Sequence, residues 1–268
     1  MLLRPTVVNA LVRRDFLGTR SYRLAFLLDI FYGVLDLVLY FFISKTFQSA
    51  VSSSDLNGAP SYFAFAAVGL ILGAVLVATS SGLGYRMREE QVAGTLEAIN
   101  TEPITVLELC IGLVGFPFMF ALSRAGLYLA IAAGFLDLDV SQTSWIGFLL
   151  VLLASAAAIA PIGILAGAAV LVFKRGQVVA GTLMYLMTIL AGMVFPISVL
   201  PDWLESIAHL VPLTYAFNGA RDALFNGSGW GTDVLVLLAW AVALWPVALV
   251  LFARGLAYAK RAGSLAQY

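Results

Sequence analysis

Six long apolar stretches constrain this chain more than any other feature of its sequence. A helix of roughly 20 apolar residues crosses a hydrocarbon core about 30 Å thick, and helices satisfy every backbone polar group inside it. Only 11% of the residues are charged and 62% are hydrophobic, whereas ordinary soluble domains carry about 25% charged residues. We therefore predict an all-α membrane protein with six transmembrane helices. The predicted spans are 24–44, 62–83, 106–135, 145–173, 178–195 and 234–253.

The distribution of basic residues predicts the orientation of the chain. An even number of spans places both termini on one side, which would then hold twelve of the fifteen lysines and arginines. Only Lys45 and Arg221 would lie on the opposite side, and Arg124 falls inside a span. Because basic residues concentrate in cytoplasmic loops, both termini are predicted to be cytoplasmic.

Residues 1–23 form a predicted unit of their own, in front of a single transmembrane domain that covers 24–268. Val8, Leu11 and Val12 recur at three- and four-residue steps, whereas Arg13 and Arg14 occupy other positions. This pattern is typical of an amphipathic helix that lies along the inner membrane interface. The alternative is that these residues are the cytoplasmic start of the first span.

The stretch REEQVAGTLEAINTEP, residues 88–103, lies between the second and third spans on the predicted cytoplasmic side. Its polar residues surround a narrow stripe formed by Val92, Leu96 and Ile99, and Pro103 ends the pattern. We predict a short amphipathic helix over about 86–100. Its acids could pair with arginines of a partner or of the amino-terminal helix, and its stripe could fill a groove in a partner. A solvated turn between spans is the alternative.

The segment 192–227 lies between the fifth and sixth spans and is interrupted by prolines. Pro196, Pro201 and Pro212 break any single helix there. We predict a re-entrant pair of short helices within about 196–227, at about 203–210 and 213–225, which dips into the outer leaflet without crossing it. Asp202 is expected to cap the first of them. The alternative is an ordinary surface loop.

These two segments resemble parts of the permeases of ATP-binding-cassette type-2 exporters, a family that includes bacterial drug, polysaccharide and lipid-linked glycan exporters. EEQVAGTLEAINTEP resembles the coupling-helix region, and GMVFPISVLPDWLESIAHLVPLTYAFNGAR resembles the carboxy-terminal signature. By this resemblance the ATPase-coupling residues are Arg88, Glu89, Glu90, Gly94, Thr95, Leu96 and Glu97. The re-entrant signature comprises Phe195, Pro196, Leu200, Pro201, Trp203, Pro212 and Arg221, with Leu213 and Thr214 also on the pattern.

The resemblance implies an ATP-driven exporter in the inner (plasma) membrane of a bacterium, with drug-like or amphipathic, lipid-linked cargo. Polysaccharide or lipid-linked glycan export is the alternative within the family. The short helix would dock on a cytoplasmic nucleotide-binding ATPase subunit, present in two copies that bind ATP and Mg. A second permease copy or a homologous permease would complete the dimer, and membrane lipid would surround it.

The chain itself lacks the sequence of an ATPase. No GxxxxGK[ST] phosphate loop occurs in it, so we predict no catalytic residues, no cofactor on this chain and no nucleic-acid partner. With one histidine and one cysteine, no metal site is predicted either. Two other classes of function stay open, namely a secondary transporter driven by an ion gradient and a scaffold that anchors an ATPase.

Three ionisable residues inside spans are candidates for a buried ion pair or for the translocation path. Asp29 and Asp36 are seven residues apart and therefore share one face of the first span, and Arg124 lies deep in the third. An ionisable group at mid-membrane costs roughly 3 kcal/mol, so we predict that Asp36 pairs with Arg124, with substrate contact as the alternative. Phe31 and Tyr32 are further candidates to line an amphipathic path.

Two pairs of glycines predict where helices approach one another closely. Gly69 and Gly73 are four residues apart in the second span, and Gly163 and Gly167 are four apart in the fourth. Small residues at this spacing lie on one helix face and admit a neighbouring backbone. We predict packing contacts there rather than gating hinges.

Overall fold

The computed structural model of the chain is a helical bundle in which residues 4–20, 23–46, 56, 58–95, 104–172 and 176–261 are described. Those residues contain nine α-helices and no β-strand. The helices are α1 (Pro5–Arg20), α2 (Arg23–Thr46), α3 (Tyr62–Val92), α4 (Val106–Phe135), α5 (Trp145–Val172), α6 (Gly176–Leu190), α7 (Asp202–Ala208), α8 (Pro212–Arg221) and α9 (Trp230–Arg261). A 3₁₀ turn, Ile197–Val199, precedes α7, and a π-helical turn, Asp222–Asn226, follows α8.

Five of the six predicted spans coincide with helices that are long and apolar enough to cross a membrane, namely α2, α3, α4, α5 and α9. The span predicted at 178–195 corresponds to α6, which has 15 residues and is about 22 Å long at 1.5 Å per residue. It ends at Leu190 because the chain turns at Gly192, where φ is 81°. The all-helical architecture is confirmed, and the sixth span stays a prediction.

Helix α3 is longer than the span predicted within it. It runs for 31 residues to Val92, about 47 Å, because no proline occurs within it and its internal glycines are held by the packing around them. Residues 86–92, predicted to begin a separate helix, are instead the last two turns of α3. The helix ends where Gly94 adopts a φ of 71°, a left-handed conformation that glycine tolerates. Residues 96–100 of the predicted coupling helix lie outside the described residues.

Helix α3 is also the centre of the bundle. In the apolar part of α3, 78% of the residues are buried, whereas only 11% are buried in the apolar part of α2. Both predicted glycine contacts lie on this central packing. A Cβ added at Gly163 of α5 would lie 2.5 Å from the carbonyl oxygen of Ser80 in α3. A Cβ added at Gly69 would overlap the carbonyl oxygen of Met193. The predicted close approach of a neighbouring backbone is therefore confirmed, between helices at Gly163 and against the turn after α6 at Gly69.

The two short helices predicted within 196–227 are present as α7 and α8. Pro201 directly precedes α7, and Pro212 occupies the first turn of α8, where its missing N–H costs nothing. The expected capping role of Asp202 is wrong, because Pro201 holds the N-cap position and no side chain caps α7. The location of this pair in the outer leaflet stays a prediction.

Candidate functional site

Ion pairs attach the amphipathic helix α1 to the end of α3. Arg14 Nη2 lies 2.9 Å from Asp15 Oδ1 and 2.5 Å from Glu90 Oε1. Asp15 and Glu90 are only 6% and 8% exposed, and Arg86 Nε lies 3.8 Å from Asp15 Oδ2. Burial lowers the pKa of the Arg14 guanidinium, but its hydrogen bonds and charge interactions with Asp15 and Glu90 outweigh burial and raise that pKa above its usual value. One of the two pairings considered for the predicted acids, with arginines of the amino-terminal helix, is therefore realised at Glu90.

A second ion pair attaches α1 to the start of α4. Glu108 is fully buried and accepts hydrogen bonds from the Arg4 main-chain N–H at 2.8 Å, from Nε at 3.0 Å and from Nη2 at 3.1 Å. Its carboxylate also accepts from the Thr105 N–H, and the Thr105 hydroxyl accepts from the Glu108 N–H, which completes a capping box. The side-chain hydrogen bond to Glu108 raises the pKa of Arg4. This contact was not predicted, although the Thr-x-x-Glu spacing of Thr105 and Glu108 is a recognised signal for a helix start.

The turn that follows α3 is exposed beside these ion pairs. Val92 is 65% exposed, and Gly94 and Thr95 are exposed as well. The Thr95 hydroxyl donates to the Glu90 carboxylate, which fixes the turn against the ion-paired side chain. The side chain of Glu89 is 47% exposed and pairs with Arg86 at 2.9 Å. This end of the molecule thus presents a short ordered surface.

The predicted ATPase-coupling residues therefore divide into two groups. Glu90 is buried against α1, whereas Glu89, Gly94 and Thr95 are exposed and Arg88 is half-buried. The remaining two, Leu96 and Glu97, lie outside the described residues. Their role in coupling stays a prediction.

At the far end of α3, the buried cation Arg221 joins three segments of the chain. Arg221 is 1% exposed, and its Nη2 donates to the main-chain carbonyls of Gly192 at 2.8 Å, Met193 at 3.0 Å and Phe65 at 3.2 Å. The guanidinium also lies 3.5 Å from the centre of the Phe65 ring, a cation–π contact. Arg221 thereby connects α8 to α3 and to the turn after α6. The sequence analysis placed Arg221 in the re-entrant signature, but nothing in the sequence indicated its burial.

The other residues of the re-entrant signature line the path of the chain around Arg221. Pro196 and Pro212 are buried, and Phe195 and Leu200 are half-buried. Pro201 is exposed, and Trp203 is 65% exposed. Of the two buried prolines, Pro196 follows Met193 by three residues in the turn after α6, and Pro212 begins the helix that carries Arg221.

The predicted ion pair of Asp36 with Arg124 is wrong, because Arg124 Nη1 contacts Asp29 Oδ2 instead. Tyr128 sets the register: its hydroxyl donates to the Asp29 carbonyl at 3.3 Å and fills the space above Gly33. Helices α2 and α4 therefore run side by side in the same direction. Arg124, one turn before Tyr128, meets Asp29, one turn before Gly33. Asp36 lies beyond Gly33, about two turns from its predicted partner.

The pairing of Arg124 with Asp29 leads to different expectations for Asp29 and Asp36. Replacing Asp29 with Asn should lower the stability of the purified protein by about 1 kcal/mol, a usual value for polar contacts between membrane helices, because Arg124 loses its carboxylate. Replacing Asp36 with Asn should leave stability unchanged. Thermal unfolding of both variants in detergent measures the difference. An Asp36→Asn variant as unstable as Asp29→Asn would contradict the observed pairing.

The family of the chain can now be stated. The family model described as ABC-2 type transporter matches residues 6–225. The match covers well over half of the chain, so the chain belongs to the ABC-2 type transporter family. Membership implies association with an ATP-binding subunit.

Curated relatives extend this match over most of the molecule. They include the proteins named inner membrane transport permease YadH in Escherichia coli strain K12, in Escherichia coli O157:H7 and in Shigella flexneri. Each is 25% identical to this chain over 226 residues, which are 83% of this chain and 86% of the relative.

Proposed function

We propose that this chain is the permease subunit of an ATP-driven exporter in a bacterial inner membrane. Family membership and relatives named inner membrane transport permeases support this assignment. Two copies of a separate cytoplasmic ATPase subunit bind ATP and Mg, and a second permease copy or a homologue completes the membrane part. The cargo is drug-like or amphipathic, and the chain itself carries no ATPase site.

The observation that carries this proposal is the course of α3. One uninterrupted helix of 31 residues has the exposed turn at Val92–Thr95 at one end and, near the other, the Phe65 carbonyl that accepts from Arg221. A helix embedded in a packed core moves as a rigid body rather than by bending. A displacement imposed at the exposed turn is therefore carried to the re-entrant pair.

The ion pairs of α1 add a second part to this mechanism. Arg14 joins α1 to Glu90 on α3, and Arg4 joins α1 to Glu108 on α4. Because these carboxylates are buried, separating them from their arginines leaves uncompensated charge, which is costly. Helix α1 thus holds the ends of α3 and α4 together, so that both respond when a partner presses on the turn between them.

A charge introduced at Val92 on the exposed turn, or at the predicted coupling residue Glu97, tests the proposal. We expect Val92→Arg and Glu97→Arg each to reduce ATP-driven cargo uptake into inverted vesicles at least tenfold, about 1.4 kcal/mol of coupling, because the docking surface changes sign or loses its apolar contact. Co-purification of the ATPase subunit and vanadate-sensitive ATP hydrolysis are measured on the same preparations. The vesicles contain the full permease together with its ATPase subunit.

The matched control is Glu205→Arg, which reverses an acid in α7 at the opposite end of the molecule. This variant should bind the ATPase subunit as the wild type does. Normal coupling in Val92→Arg and Glu97→Arg would contradict the docking role of the turn. Uptake driven by an ion gradient without any ATPase would instead support the secondary transporter, and ATP turnover without cargo movement would support the scaffold. A preference for glycan cargo would support the family alternative.

A further inference from the structure

Asp36 is a carboxylate at the middle of a membrane span, on a face that this chain leaves uncovered. It is the tenth residue of the 20-residue apolar segment Leu27–Thr46 in α2, and its side chain is exposed. A charge at this depth costs about 3 kcal/mol if lipid surrounds it. Ionisable residues inside membranes therefore face partners or water-filled paths and mark functional sites.

A second copy of the chain offers no basic residue that would neutralise Asp36. Arg124 is the only lysine or arginine within the predicted spans, and it already contacts Asp29. Lys45 lies at the carboxyl end of α2, nine residues or about 13 Å along the helix from Asp36, and its ammonium lies over the Phe41 ring. Arg221 is buried among main-chain carbonyls. Asp29 and Arg124 cancel each other, so the exposed face of α2 carries one uncompensated negative charge. A ligand with a positive charge complements this face.

Aromatic rings surround the carboxylate on the same side of α2. Tyr32 and Tyr40 lie one helical turn before and one turn after Asp36, and Tyr32 is 62% exposed. Phe31, 58% exposed, packs edge-on against Tyr32 with ring centres 6.3 Å apart. Carboxylates and aromatic faces are the groups that bind organic cations, through charge and cation–π attraction.

We propose that the exposed face of α2 binds hydrophobic organic cations, with Asp36 as the counter-ion and Tyr32 and Tyr40 as the flanking rings. This inference rests on the proposed export function and specifies its cargo class. The neighbouring exposed residues Leu35 and Leu39 bind the apolar part of the ligand. The site thus selects for cations over anions of equal size and hydrophobicity.

The test uses tetraphenylphosphonium and tetraphenylborate, which have nearly the same shape and opposite charge. Their binding to the purified permease–ATPase complex is measured separately by equilibrium dialysis. We expect the wild type to bind the phosphonium at least tenfold more tightly than the borate. Asp36→Asn should weaken phosphonium binding at least tenfold, and Asp36→Glu, which keeps the charge, should restore most of it.

The matched control is Asp202→Asn, which removes an exposed acid of α7 and should leave phosphonium binding unchanged. Thermal unfolding of each variant shows that the protein is folded. Equal binding of the two ions, or phosphonium binding that survives in Asp36→Asn, would overturn the inference. ATP-driven uptake of the phosphonium is measured independently. Binding without uptake would count against the export function alone, whereas uptake of other amphiphiles without phosphonium binding would count against the cation site alone.

Discussion

Replacing Arg221 with methionine is expected to lower the free energy of unfolding by about 3 kcal/mol or more. The guanidinium donates to the carbonyls of Phe65, Gly192 and Met193. The Phe65 carbonyl keeps its helical partner in α3, but the Gly192 and Met193 carbonyls lie outside any helix, and each carbonyl left buried without a donor costs about 1–3 kcal/mol. Relief from burying the charge offsets part of this loss. Thermal or denaturant unfolding of the purified protein in detergent, together with its yield in membranes, measures the effect.

Two variants separate the geometry of Arg221 from its charge. Arg221→Lys keeps a positive charge but lacks the planar fork and the flat surface that stacks on the Phe65 ring, so it should recover only part of the stability. Arg254→Met removes an exposed arginine of α9 and should have little effect. Wild-type stability in Arg221→Met, or an equal loss in Arg254→Met, would show that the carbonyl contacts do not hold the three segments together.

The same contacts lead to a functional expectation for a folded Arg221→Lys complex. Weaker attachment of α8 to α3 should reduce cargo transport more than ATP hydrolysis, because under the proposed mechanism the ATPase still moves α3 while the re-entrant pair follows less closely. Vesicle uptake divided by the rate of ATP hydrolysis gives this ratio directly. An unchanged ratio would count against transmission through Arg221.

The spans were predictable because a membrane imposes a minimum apolar length on every helix that crosses it. The bounds of α4 match the predicted 106–135, and α5 matches the prediction of 145–173 from Trp145 to Val172, the last described residue before 176. The prediction was weakest where the length rule does not apply. Helix α3 continues past its apolar part because the same helical backbone forms in water when its side chains are polar. The Arg86–Glu89 pair stabilises this extension. The change from apolar to polar residues near 86 was interpreted as the start of a new helix, but it only marks where α3 leaves its apolar part.

Contacts between helices were less predictable because spacing within one helix does not fix its register against another. Asp29 and Asp36 share a face of α2, so the sequence left both within reach of Arg124. Asp29 is the partner because Tyr128 of α4 packs against Gly33 of α2 and so fixes the register of the two helices. The sequence of neither helix alone reveals this fit. The burial of Arg221 likewise depends on main-chain carbonyls of distant segments. Every residue type has such a carbonyl, so no sequence motif identifies these acceptors.

Replacing Gly69 with alanine is expected to be the most damaging single-methyl addition in the bundle. The new Cβ would overlap the carbonyl oxygen of Met193, and no side-chain rotation can relieve a clash with backbone. The turn after α6 must therefore move, which we expect to cost about 3 kcal/mol. Gly126→Ala is the matched control, because no atom lies within 4 Å of a Cβ at that position of α4. It should be neutral or stabilise the helix slightly.

The double variant Gly69→Ala with Arg221→Met identifies the shared element. Both changes act on the Met193 carbonyl, which approaches Gly69 and accepts from Arg221 at 3.0 Å. Once the alanine has displaced this carbonyl, its hydrogen bond with Arg221 is already weakened, and removing Arg221 costs less. The combined loss of stability should therefore be smaller than the sum of the single losses by about 1 kcal/mol. Strict additivity, or a Gly69→Ala protein that unfolds like the wild type, would show that the turn after α6 does not depend on this contact. A combined loss smaller than the sum would show that the Met193 carbonyl is the contact through which α3 holds the re-entrant pair.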